Sequence, residues 1–279
     1  MLVENHPHAW DVNHADRYLD PKQREDSLPP GGHLVVTPKM RQLVSNVPYA
    51  LRRNQAIAIS GPVGAGKTTL LHAITAVADV RVRYVELPAD LKNTTQYWRC
   101  LARAVTEAEP SGTTDQMLND CREYLAKVPT LLIVDEAQHL PLESLLQVRS
   151  LWGQRFPRFA CILAGSDLFA RLDVYSAVGS RVLVRIPLDH NTPQRMLEYL
   201  GRLHPQLAAT DPRILRVIDD AYGHGNWRAW EHLVLTTYDA WEHNGPLTLA
   251  LAKDAIYQIT GSEPALHMPG AHRPQPTRR

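Results

Sequence analysis

The residues best able to do chemistry lie in two short clusters. Gly61-Pro62-Val63-Gly64-Ala65-Gly66-Lys67-Thr68 has the form G-x-x-x-x-G-K-[ST] and is followed by Thr69. Glycines in such a loop let backbone N–H groups curl round a polyphosphate, and a helix that opens at its end favours negative charge there. In that arrangement Lys67 reaches the β- and γ-phosphates and the Thr68 hydroxyl ligates Mg²⁺. The second cluster is Asp135-Glu136, which ends the apolar run Leu131-Leu132-Ile133-Val134. Asp135 would hold Mg²⁺ through its water shell, and Glu136 would polarise an attacking water. Taken alone, an acidic pair of this kind is equally a solvated strand end. Downstream of a phosphate loop it reads as the other half of a site, and the adjacent Glu136 favours hydrolysis over small-molecule kinase chemistry.

Both clusters need elements to hold them. Gln55–Ser60 is short and β-rich and leads straight into the loop, and Lys67–Ala78 continues as a helix. Thr130–Val134 reads as a buried strand, whereas Val80–Leu87 alternates charged and apolar residues, as a partly covered edge strand does. Before the loop, Thr37 is a good N-cap and Pro38 suits the first position of a helix running to about Arg53. Helical patterns at 94–107, 114–127 and after Pro141, with strands at Phe159–Ala164 and Arg181–Ile186, complete an alternating β/α series. The expected fold class is α/β, a three-layer αβα sandwich around a mostly parallel sheet over 34–189. Strand signals then stop. Helices at 192–203, 211–222, 226–243 and 248–258 suggest a small all-α domain over 190–261. Residues 1–33 read as an extended N-terminal arm, and 262–279 as a flexible Pro-rich tail.

The 279 residues suffice for one or two domains with an ample core, and 44% hydrophobic against 21% charged residues exclude wholesale disorder. The start, MLVENHPHAWDVNH, has neither a basic nor an apolar signal region, and no apolar run approaches a membrane span. A cytoplasmic location without membrane attachment is expected. Cys100, Cys121 and Cys161 are far apart and read as reduced thiols, with no disulfide framework and no zinc spacing. His6-Pro7-His8 lacks the neighbours of a metal ligand set.

The series GPVGAGKTT, LLIVDEAQHL, CILAGSDLF, SRVLVRIPL and GNWRAWEHL resembles an AAA+ ATPase across about 34–260. More narrowly it resembles the branch holding the transposition ATPases TniB, TnsC and Mu B, together with ExeA and the Orc/Cdc6 initiators; DEAQHL carries the TniB/TnsC/ExeA likeness. The resemblance implies ATP and Mg²⁺ as cofactors and a helical lid over 190–261. It implies a sensor 1 role for Ser166, where relatives often have Asn, and a finger arginine for a neighbouring subunit at Arg181, with Arg171 as runner-up. It also implies that Arg228, in Gly225-Asn226-Trp227-Arg228, reaches ATP as sensor 2. Each arginine has an ordinary alternative in a surface ion pair.

The same resemblance directs attention to a DNA-facing surface after the second strand. Trp98, Leu101, Ala102 and Val105 share one helix face, and Lys92, Gln96, Arg99 and Arg103 line another. Gln147, Arg149, Arg155 and Arg158 form a second set, and either stripe reads equally as a solvated helix face. The formal charge of +1 conceals a division. Residues 34–189 carry 18 basic and 14 acidic groups (net +4), against net −3 for 1–33, −2 for 190–261 and +2 for 262–279. Sequence-independent contact with the duplex backbone is therefore expected. The leading reading is a slow, DNA- or partner-stimulated ATPase that forms a ring or filament of identical subunits on duplex DNA and recruits or activates a transposase, with a targeting adaptor as a further partner. An ExeA-like assembly ATPase and a STAND-type signalling ATPase are the alternatives. The first is expected to carry a membrane span and a wall-binding domain, the second sensor repeats after the lid, and neither is expected here.

Overall fold

The computed structural model describes residues 10–17, 19, 22, 24, 25, 28–151, 159–238, 240 and 245–267. The start of the arm, Arg155 and Arg158, the expected end of the 226–243 helix and most of the tail lie outside them. The chain divides into two compact units. One holds the described residues of Met1–Ser27 and Val36–Asp189, the other those of Leu28–Val35 and His190–Arg279.

In the first unit the elements run α1 (Pro38–Arg53), β1 (Ala56–Ser60), α2 (Lys67–Val77), β2 (Arg81–Glu86), α3 (Thr94–Thr106), α4 (Thr114–Lys127), β3 (Thr130–Asp135), α5 (Leu142–Leu151), β4 (Phe159–Gly165), α6 (Leu168–Val174), α7 (Ser176–Gly179) and β5 (Val182–Pro187). The five strands are parallel and ordered β2-β3-β4-β1-β5, so the fold is the P-loop αβα sandwich expected from the alternation. Strands β3 and β4 are buried throughout, and their apolar runs meet helices on both faces.

Local chemistry accounts for the element ends. The Thr37 hydroxyl accepts from Met40 N–H at 3.3 Å, Pro38 opens α1, and Asn54 closes it in the left-handed conformation. A capping box opens α4, where Thr113 and Gln116 satisfy each other's backbone N–H groups.

Two regions differ from their sequence patterns. Strand β2 is an edge strand, but Arg83 points inward and is only 6% exposed. Its Nε donates to Val105 O at 3.1 Å, its Nη atoms reach Glu107 and Tyr124 OH, and the guanidinium lies 5.1 Å from the Tyr124 ring centre. A buried guanidinium is tolerated only when its donors are satisfied in this way. Within the segment read as an extended arm, Val12–Arg17 form a 3₁₀ turn that buries Val12 and Ala15, and Trp10 N–H donates to Val77 O at 2.7 Å.

The second unit contains α8 (Pro193–Leu203), α9 (Pro205–Ala208), α10 (Pro212–Ile218), a π turn at Asp219–Gly223, α11 (Trp227–Tyr238) and α12 (Leu249–Thr260). Its core gathers Met196, Leu200, Ile218, Trp230, Leu233 and Ile256. Among the described residues no helix is long and apolar enough to cross a membrane.

Candidate nucleotide-binding site

Strand β1 delivers the phosphate loop at its carboxyl end, and β3 delivers the acidic pair two strands away. Strand β4, ending in Gly165, lies between them. Carboxyl ends of parallel strands are where open α/β sheets bind ligands. Gly64 and Gly66 take φ values of +77° and +88°, conformations that glycine alone adopts without strain. Gly61 is needed for a different reason: a Cβ there would stand 2.4 Å from Leu188 O. Gly61 N–H donates to Gly165 O at 3.3 Å, which ties the loop to the tip of β4. Pro62 and Val63 face solvent and Ala65 is buried, so the apex is open and its base is packed.

Lys67 begins α2 and is 7% exposed. Its Nζ donates to Gly61 O at 2.8 Å and Pro62 O at 3.0 Å, so the ammonium lies inside the loop curl where a polyphosphate would need it. The Thr68 hydroxyl donates to Asp135 Oδ2 at 3.0 Å, which brings residues 67 positions apart into contact. Thr69 follows, half-buried.

Asp135 is 1% exposed, and protein donors hold both its oxygens. Oδ2 also accepts from Tyr84 OH at 2.9 Å, and Oδ1 accepts from Glu136 N–H at 2.9 Å. Burial, and then the Asp135 carboxylate, push the Tyr84 hydroxyl far above its ordinary range, so Tyr84 remains a neutral donor. Tyr84 is a site residue that the alternating pattern of β2 did not single out. The glycine cradle, the buried ammonium and the paired hydroxyl and carboxylate fit a nucleoside triphosphate with Mg²⁺.

Glu136 stands in the left-handed conformation at φ +53° and is half-buried. Gln138 Nε2 donates to Glu136 Oε2, and Gln138 Oε1 accepts from Ser166 N–H at 3.1 Å. Ser166, directly beyond β4, is thereby joined to the acidic pair. Gln138 was visible within DEAQHL, but nothing in its spacing distinguished it as a contact residue.

The arginines differ in their settings. Arg171 Nη2 donates to Leu140 O at 2.5 Å within its own unit, whereas Arg181 is exposed in the turn before β5. In the second unit, Asn226 Oδ1 accepts from Arg228 N–H at 2.9 Å and from Ala229 N–H at 3.3 Å, opening α11, and Arg228 is exposed. Gly225 is required there, since a Cβ would stand 1.9 Å from Asn191 O.

On α3 the apolar face is as expected, with Trp98, Leu101, Ala102 and Val105 buried. Lys92 lies before the helix, Arg99 is exposed, and Arg103 pairs with Glu109 at 2.5 Å. Gln96 Oε1 accepts from Lys92 N–H at 2.7 Å. In the second set, Gln147 accepts from Trp98 Nε1 and Arg149 is exposed.

The fold and the strand-end cluster together define a P-loop fold of the AAA+ kind. Residues 51–172 match the family AAA_22, described as an AAA domain, a span that includes both the phosphate loop and the acidic pair. Among solved structures the chain is similar to the Aeropyrum pernix ORC2 protein in its ADPNP-ADP complexes, with a TM-score of 0.61, 19% identity and coverage of 86% of this chain and 71% of that one. It is similar to the A. pernix ORC1 protein in complex with DNA, with a TM-score of 0.61, 17% identity and coverage of 79% and 64%. For the Thermotoga maritima RuvB Holliday junction branch migration motor the TM-score is 0.55, with 17% identity and coverage of 79% and 68%. At these identities the likeness is one of fold. No match was found among curated protein sequences.

Proposed function

We propose that this chain binds ATP with Mg²⁺ and hydrolyses it, that it assembles with copies of itself on duplex DNA, and that it regulates DNA transposition by recruiting or activating a transposase. The observation that carries the nucleotide chemistry is the 3.0 Å bond from the Thr68 hydroxyl to Asp135, with Glu136 next in the chain. Mg²⁺, when bound, would offset charge on the phosphate oxygens. The loop N–H groups and Lys67 would bind the phosphates, and Thr68 would hold the ion directly and Asp135 through its water shell. Glu136 would take a proton from the water whose oxygen bonds to the γ-phosphorus as the β–γ phosphoanhydride bond breaks and ADP leaves. Ser166 stands at the strand tip as the polar sensor.

Arg181 is the better candidate for a finger acting on a neighbouring subunit, because it is exposed while Arg171 is bonded to Leu140 O. Arg228 is assigned to the nucleotide by its motif. Support for DNA comes from two of the similar structures, ORC1 in complex with DNA and a branch migration motor, and from the net +4 of residues 34–189. The transposase partner rests on the DEAQHL resemblance.

The test is binding of the full chain to duplex DNA with and without a non-hydrolysable ATP analogue, across a salt series. Analogue-dependent binding that weakens steeply with salt is expected; no association at low salt overturns the DNA reading. Mixing Arg181→Ala with Lys67→Ala chains should restore part of the ATP turnover, since one intact shared site then forms. No recovery overturns the finger assignment.

A further inference from the structure

We propose that Gln138 is a positioning residue for the Glu136 carboxylate and that it ties this carboxylate to the tip of β4. The proposal rests on the reading of Glu136 as the base for ATP hydrolysis. The left-handed turn at Glu136, φ +53°, is followed by a single 3₁₀ turn at Ala137–His139, in which His139 N–H donates to Glu136 O at 2.9 Å. This reversal brings the Gln138 side chain back over Glu136. Its amide then uses both ends: Nε2 donates to Glu136 Oε2, and Oε1 accepts from Ser166 N–H at 3.1 Å. A side-chain amide offers a donor and an acceptor side by side, and it does so without charge at any ordinary pH.

The partner strand is shaped for this contact. A Cβ on Gly165 would stand 2.2 Å from Gln138 Oε1 and 3.0 Å from Gln138 N, so the bridge requires glycine at the end of β4. With one carboxylate oxygen held, the orientation of Glu136 is set and its other oxygen can accept the proton of a water. A base oriented by a third group is a general device of activated nucleophiles. Because the far end of the bridge is the backbone of Ser166, a displacement of that residue would be passed to Glu136 through one side chain.

The experiment compares ATP turnover by the full chain, with duplex DNA present, for the wild type, Gln138→Glu, Gly165→Ala and Glu136→Gln, alongside binding of a non-hydrolysable analogue. Gln138→Glu keeps the size of the side chain and its acceptor for Ser166 N–H but replaces the donor to Glu136. Gly165→Ala reaches the same bridge from the other side, should Gln138→Glu fail to fold. Each is expected to lower kcat on the order of tenfold, the scale of a hydrogen bond to a charged group, with KM and analogue affinity within about threefold of wild type. In a Glu136→Gln background, Gln138→Glu should add no further loss. Unchanged kcat in both bridge variants, or a parallel loss of analogue binding, overturns the proposal. If Glu136→Gln turns over normally, the base assignment itself has failed, and the bridge loses its catalytic meaning with it.

Discussion

At the strand ends Lys67 is buried and donates to two carbonyls of its own loop, and Asp135 accepts from Thr68, Tyr84 and Glu136. On α3, Arg99 stands in solvent and Arg103 shares its charge with an exposed Glu109. Both regions carry cations that can meet phosphate. In the first, parallel strands converge to bury the charge and aim it. In the second, a single helix displays cations whose spacing follows from keeping Trp98 and Leu101 inside. Desolvating a cation costs free energy that its partners must offset, whereas an exposed cation carries no such cost. Burial alone does not separate Lys67 from Arg83, which is equally buried among structural partners. What sets Lys67 apart is its place inside the phosphate loop, and neither arginine of α3 has such a setting.

Three experiments sharpen that contrast. The largest effect is expected from Lys67→Ala, which removes the buried ammonium and should weaken binding of a labelled ATP analogue on the order of a hundredfold. Retained affinity would mean that the loop does not bind nucleotide as its form implies. A smaller effect is expected on the stripe. Replacing Lys92, Arg99 and Arg103 together with Ala should lower duplex affinity by about tenfold and flatten its salt dependence, by roughly 0.9 in the logarithmic slope for each phosphate no longer neutralised, while analogue binding stays as in wild type. An unaltered slope would make the stripe a solvated face.

The smallest effect lies in the second unit. His204 is buried, and burial lowers its pKa below the ordinary 6.5, against a hydrogen bond to Pro30 O that pulls it upward. The unfolded chain therefore takes up the proton more readily. The stability that this histidine carries is complete above pH 6.5 and is lost as the pH falls from there through the lower folded value. Thermal unfolding followed from about pH 8 to about pH 5.5 should show a gentler acid decline for His204→Asn than for wild type. Parallel declines would assign the acid sensitivity to other groups.

Much of the fold was legible. The β/α alternation, the Thr37 and Pro38 start of α1 and the apolar face of α3 all follow from local rules of capping and period. Arg83 was not. Its alternation with Val82 and Tyr84 suits an edge strand, but which face turned inward depended on Glu107 and Tyr124, both distant in the chain. The hydrogen bond from Arg171 to the carbonyl of Leu140, 31 positions away, was hidden for a similar reason.

By itself, the sequence determined the phosphate loop, the acidic strand end and the order of strands and helices, because glycine freedom, apolar period and helix caps act within a few residues. The tertiary structure decided the contacts. The order β2-β3-β4-β1-β5 brings Tyr84, Thr68 and Asp135 together and sets Gln138 between Glu136 and Ser166. The hydrogen-bonded pairs among them lie up to 67 positions apart, and no local spacing encodes which strand tips become neighbours.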